Sequence, residues 1–225
     1  MSLLLLLRSP TQKIVISENT GSTYGGCIVS RIKENVPNTN FNTDVEIEMT
    51  SFAAGDRTFS LLQLTGLNSV PEGGTVTNAK IRINATNLSN ANLSFEAIRC
   101  LRSVVQAQLT WNSFATGSAW TTAGGLDTTN DIGALDLANV TIPVTTTNAY
   151  YELTGAGLTQ WVQDVINGVI TNADLMIRPD PQNAFNSTFA GFVSDNGADG
   201  RRPELVFDYT TGSVLRYPAF LLMML

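Results

Sequence analysis

Histidine is absent from this chain of 225 residues. That removes the usual general base and the commonest metal ligand, so any catalysis would rest on carboxylates, Ser, Lys or Tyr. Cysteine is almost absent, with only Cys27 and Cys100. Two distant thiols can form one bridge but no disulfide framework, and no Cys-x-x-Cys spacing suggests zinc; the simpler reading is two small buried side chains. Charge is scarce at 14%, against about 25% in an average soluble domain. The net charge is −6, and the basic residues are scattered, with Arg201–Arg202 the densest spot. A phosphate-binding groove needs clustered cations, so nucleic acid is not an expected partner. Long apolar runs are missing as well. "SLLLLL" at the start and "AFLLMML" at the end fall far short of the roughly 20 residues of a membrane helix. The first is followed, not preceded, by Arg8 and shows no cleavage site, unlike a signal peptide. The expectation is a protein made in the cytoplasm without a membrane span, in which five Asn-X-Ser/Thr triplets (at Asn84, Asn87, Asn92, Asn139 and Asn186) arise by chance.

What is present is strand patterning. Hydrophobic residues make up 43% of the chain, enough for a substantial core in one large all-β domain. Alternation with period two places Val45, Ile47 and Met49 on one face, and likewise Ala79, Ile81, Ile83 and Ala85, with Lys80, Arg82 and Asn84 opposite. The same pattern groups Val140, Ile142 and Val144, and then Leu205, Phe207 and Tyr209, with Glu204 and Asp208 outward. "RTFSLLQL", "LSFEAIRCL", "ADLMIR" and "FAGFVS" are apolar on both faces or mixed, as central strands are. Turn-rich "PEGG", "TTAGGLDTTND" and "DNGADG" separate the runs. One segment breaks the rhythm. Leu158, Trp161, Val162, Val165, Ile166 and Val169 recur at helical spacing. Thr154 is the expected N-cap, and Gly168 or Asn172 the expected stop. Such a helix can close the open end of a sandwich, with Trp161 as the plug.

The order of these pieces resembles the DNRLRE-type β-sandwich module, related to a disaggregatase-associated repeat and to one family of carbohydrate-binding modules. The pieces are "RTFSLLQLTGL", "VPEGGTVTNAKIRINA", "QLTWNSFATGSAW", "YYELTGAGLTQWVQDVINGVITNADLMIRP" and "FVSDNGADGRRPELVFDYT", together covering roughly residues 40–210. The chain departs from the family pattern at Gln63, where the family has Asp, at Asp195, and at "NADL" in place of "nyGl". The resemblance implies an antiparallel jelly-roll-like β-sandwich of eight or more strands with one short α-helix, and surface recognition in place of a defined reaction. It also implies that Trp111 packs where a strand ends.

Candidate sites follow from residue chemistry. Trp120, beside a Gly-rich loop, and Trp111 are the rings able to stack on a sugar. Asp195, Asn196 and Asp199 crowd one loop with enough oxygen for Ca²⁺, as do Asp127, Asn130 and Asp131, although neither group has the ordered spacing of a calcium loop. No cofactor is otherwise implied. A glycosidase needs two facing carboxylates. No pair stands out, and acidic residues such as Glu46 and Glu48 alternate on exposed faces, so no enzyme is expected. Exposed apolar patches promote association, which makes Leu3, Leu4, Leu5, Leu6 and Leu7 at one end, and Phe220, Leu221, Leu222 and Met223 at the other, candidate assembly arms. The expected organisation is an apolar arm and lead-in strand over 1–20, a sandwich over 21–211 and an apolar tail over 212–225. The expected role is a non-enzymatic phage virion component. It would be a capsid decoration (cement) subunit, or as a near variant a tail or fibre part, bound to other virion proteins and to itself through the apolar arms and through sheet edges. The alternative is a module that binds polysaccharide.

Overall fold

A computed structural model describes residues 10–50, 55–88, 93–143, 148–179 and 189–211. The described strands are β1 (Thr11–Ile16), β2 (Cys27–Lys33), β3 (Glu46–Thr50), β4 (Thr58–Leu64), β5 (Thr75–Leu88), β6 (Leu93–Cys100), β7 (Ser113–Ala115) and β8 (Ser118–Ala119). After these come β9 (Ile132–Ile142), β10 (Ala149–Thr154), helix α1 (Ala156–Ile166), β11 (Asp174–Pro179), β12 (Phe189–Val193) and β13 (Glu204–Thr210). All but the small β7–β8 hairpin join one curled antiparallel sheet. Its order is β1-β13-β5-β10-β9-β6-β11-β4-β3-β12, with β2 on β4 and β12 pairing back to β5. The joints β10–β9 and β3–β4 rest on single residue pairs, Thr154↔Asn139 and Thr50↔Thr58. The sheet turns its corners there, and its two walls face each other as a jelly-roll-like sandwich.

The core lies between the walls. Ile14, Ile16, Ile81, Ile83, Leu205, Phe207 and Tyr209 meet Val29, Leu62, Leu64, Phe95, Leu175, Ile177 and Phe192 in one buried cluster. The alternation expected of β5 holds, since Ala79, Ile81, Ile83 and Ala85 are all buried. Ile14 and Ile16 belong to this core, so the sandwich begins within the lead-in strand and not at residue 21. Val45, expected to share the face of Ile47 and Met49, lies outside β3 and is exposed. Val144 and both apolar arms, Leu3–Leu7 and Phe220–Met223, lie outside the described residues.

Helix α1 closes the gap between the walls through Leu158, Trp161, Val162, Val165 and Ile166, all buried in the same cluster. The expected cap and the end of the stripe differ. Gly155 occupies the N-cap position and no side chain caps the helix. The chain leaves the helical path at Gly168, whose φ of +69° suits a residue without Cβ. Val169 therefore falls off the stripe and is 73% exposed. Asn172 plays no part in stopping the helix; its amide donates to the Cys100 and Arg102 carbonyls.

A second core sits on the outer face of β2, β4, β6 and β11. Ile32, Phe59, Leu61, Ile98, Cys100 and Met176 are covered there by Val104, Leu109, Trp111, Trp120 and Ile132. This explains why β4, β6 and β11 read as apolar on both faces. Trp161→Ala removes the plug of the first core and is expected to cost about 3–5 kcal/mol of unfolding free energy, as measured by urea denaturation followed by circular dichroism. A loss under 1 kcal/mol would show that α1 is peripheral.

Candidate functional site

The residues proposed from sequence as ligand contacts prove to be structural. Trp120 is 5% exposed, its indole Nε1 donates to the Thr110 carbonyl at 3.1 Å, and its ring packs on Phe114. Trp111 is 3% exposed, tilted against Phe59 and overlain by the Arg57 guanidinium. Gly124 passes so close that a Cβ there would meet the Trp111 ring at 2.6 Å. Neither ring offers a face to a sugar, and the sequence expectation for Trp120 is corrected accordingly. The aromatic residues of this segment were needed to roof an outer core that strand patterning does not reveal.

The two oxygen-rich loops are committed to the backbone. Asp195 Oδ1 accepts from the Val29 amide at 2.9 Å, plugging the free edge of β2, and burial pushes its carboxyl up. The Asn196 amide donates to the Asn42 carbonyl, while Asp199 Oδ1 accepts from the Thr20 amide and is held below the usual carboxylate range by its bonds to Thr20. Asp127 caps its own turn through the Thr129 and Asn130 amides. Asp131, fully buried, accepts from the Thr121 and Thr122 amides. Each carboxylate thus serves a different partner, and among the described residues no acidic or thiol group of three converges on one point. Cys27 lies in the first core and Cys100 in the second, both free and buried, with thiols pushed up by burial.

Three arrangements were not evident from sequence. The first is a carboxyl pair. Glu96 on β6, only 3% exposed, accepts from Arg178 Nε of β11 at 2.5 Å and is hydrogen-bonded to Asp136 of β9. Burial, together with the Asp136 hydrogen bond, raises the Glu96 carboxyl to about 7 against the pull of Arg178. Two carboxyls in direct contact leave no room for a sugar, since even retaining glycosidases hold theirs about 5 Å apart. The second is a cleft of about 680 Å³ between β1, β13, β5, β10 and the start of α1. Lys13, Asn78, Lys80, Glu152, Thr154 and Asp208 line it. Lys80 pairs with Glu152 at 2.7 Å and Asn78 donates to Asp208 at 2.8 Å, whereas Lys13 has no ion-pair partner among the described residues.

The third is the corner where the described chain enters and leaves. β1 and β13 run antiparallel in the register Thr11↔Thr210, and the two hydroxyls lie 2.9 Å apart. Thr11 and Thr210, the outer ends of β1 and β13, therefore lie side by side at this corner. Along the outer edge of β1, Val15 is already covered by Thr23 and Tyr24. The positions in phase with it, Thr11 and Lys13, are nearest the same corner.

No family model and no curated protein matched the chain.

Asp174 latches the roof of the second core. It is 2% exposed, accepts from the Val104 amide at 2.7 Å and, chiefly through burial, is raised to about 6. Its folded pKa lies above the unfolded value, so its contribution to stability is full below about pH 4 and is lost as pH rises through 6. The change is on the order of 3 kcal/mol. Asp174→Asn is expected to flatten that part of the stability profile between pH 4 and 7 in urea titrations. An unchanged slope would mean that Asp174 is ionised in the fold.

Proposed function

We propose that the chain is a non-enzymatic structural subunit of a virion, a capsid decoration (cement) protein, with a tail or fibre component as the near variant. It attaches to neighbouring subunits through its apolar terminal segments. The observation that carries this reading is the Thr11↔Thr210 pairing, which holds at one corner of the sheet the two strand ends next in sequence to those segments. Five consecutive leucines precede the first of these strand ends and a run of Phe, Leu and Met follows the second, and burial of such apolar side chains at roughly 25 cal/mol per Å² is what drives association. Pro10 and Lys13 blunt the open end of β1, so the apolar runs, more than backbone pairing along that edge, supply the contact. The low charge and the Thr- and Asn-rich surface suit a robust assembly component.

The full chain is expected to associate with rising concentration in sedimentation equilibrium, and Leu5→Asp combined with Leu222→Asp should leave it monomeric. Mass spectrometry of gradient-purified particles from the producing cells should recover it in stoichiometric amount. A wild-type chain that stays monomeric at high concentration, or particles that lack it, would refute the proposal.

The cleft beside α1 favours a second reading, a module for a polyhydroxylated ligand such as a polysaccharide. Its walls combine ammonium, carboxylate, amide and hydroxyl groups within a volume usual for ligand sites. Retention on polysaccharide affinity gels that falls on Lys13→Ala, and not on surface substitutions elsewhere, would support it. Uniform absence of retention would discard it.

A further inference from the structure

The Glu96–Asp136 contact exists because of an irregularity in β9. From Leu93↔Ile142 to Ala97↔Ala138 the two strands pair residue for residue, and then Ile98 faces Asp136. Leu137 is the extra residue of this bulge, and it packs against the first core. In regular alternation Asp136 would share the inner face with Ala138. The bulge turns it outward, next to Glu96, as bulges are known to re-aim side chains.

An ionised carboxylate can only accept hydrogen bonds. The bond between Glu96 and Asp136 therefore persists only while one of the two keeps a proton. Three charged or titratable groups meet here, Glu96 from β6, Asp136 from β9 and Arg178 from β11. A single guanidinium cannot neutralise both carboxylates once the proton is gone. On its other side β9 is held to β10 through a single residue pair.

We propose that the β6–β9 seam is a proton-operated joint, in which one proton shared by Glu96 and Asp136 keeps β9 seated and its loss frees β9 at the corner of the sandwich. The transition falls around neutrality, where the raised Glu96 carboxyl titrates. The sign is that of a raised acid: the joint is tight at mildly low pH and loosens as pH rises through about 7. The device is independent of the assembly reading and needs no partner.

Hydrogen exchange of the full chain at pH 6 and pH 8, corrected for the intrinsic rate, tests it. Peptides covering 136–142 should exchange about tenfold faster at pH 8, since each pH unit between the ordinary carboxylate value and the folded pKa shifts the opening equilibrium by about that factor, and the shift levels off above it. Peptides from β13 should not change. Glu96→Gln, which stands in for the protonated acid, should remove the pH effect, and Asp136→Asn should do the same should the first variant fold poorly. Asp174→Asn, which removes another raised acid, should leave the effect on β9 intact. Corrected rates equal at both pH values in the wild type, or a rise that survives in both Glu96→Gln and Asp136→Asn, would overturn the proposal.

Discussion

Antiparallel pairing of the first strand with the last is the constraint on which the rest of the molecule depends. β1 lies against β13 in unbroken register from Thr11↔Thr210 to Ile16↔Leu205. This pairing carries Ile14 and Ile16 into the core beside Leu205 and Phe207. It also fixes where the chain enters and leaves the sandwich. The backbone ladder thus holds two sequence-distant positions, Thr11 and Thr210, side by side.

The second constraint is that one wall is buried on both faces. β4 and β11 contribute Leu62 and Ile177 to one core and Leu61 and Met176 to the other. A wall of this kind needs a roof, and the segment from Val104 to Ile132 provides it with two tryptophans, the Val104 amide that Asp174 of β11 latches, and the buried Asp131 carboxylate. The polar residues that look like a site in one dimension are here the fasteners of the roof and of the sheet edges. Buried carboxyls used in this way have a chemical consequence. Asp174 and Glu96 both retain protons more readily than free acids do, so the fold is best satisfied in mildly acidic solution.

Much of the fold was legible in the sequence, for a physical reason. Where one face of a strand is buried and the other wet, period-two alternation is nearly forced, and Ala79, Ile81, Ile83 and Ala85 behave as it requires. The apolar stripe of α1 was legible for the same reason, up to the turn where Gly168 redirects the chain and leaves Val169 in solvent. Asn84, expected outward, is buried because Arg201 reaches over from the loop before β13 and bonds its amide oxygen. That is a long-range contact with no local signature. The roof was illegible because burying Trp120 depends on an outer core assembled from four separate strands. The carboxyl pair was illegible because a single extra residue, Leu137, changes which side Asp136 faces, and a bulge does not show in residue types alone.

The central proposal is that residues 1–9 and 212–225 are what other molecules cover. The most direct measurement is hydrogen exchange of peptides 1–9 and 212–225 across a concentration series of the wild-type chain. The account predicts little protection of both when dilute and strong protection of both as concentration rises, with the peptides of β5 and β11 unchanged throughout. Full protection of both segments at the lowest concentration would show that the molecule covers them with its own body, and would contradict it.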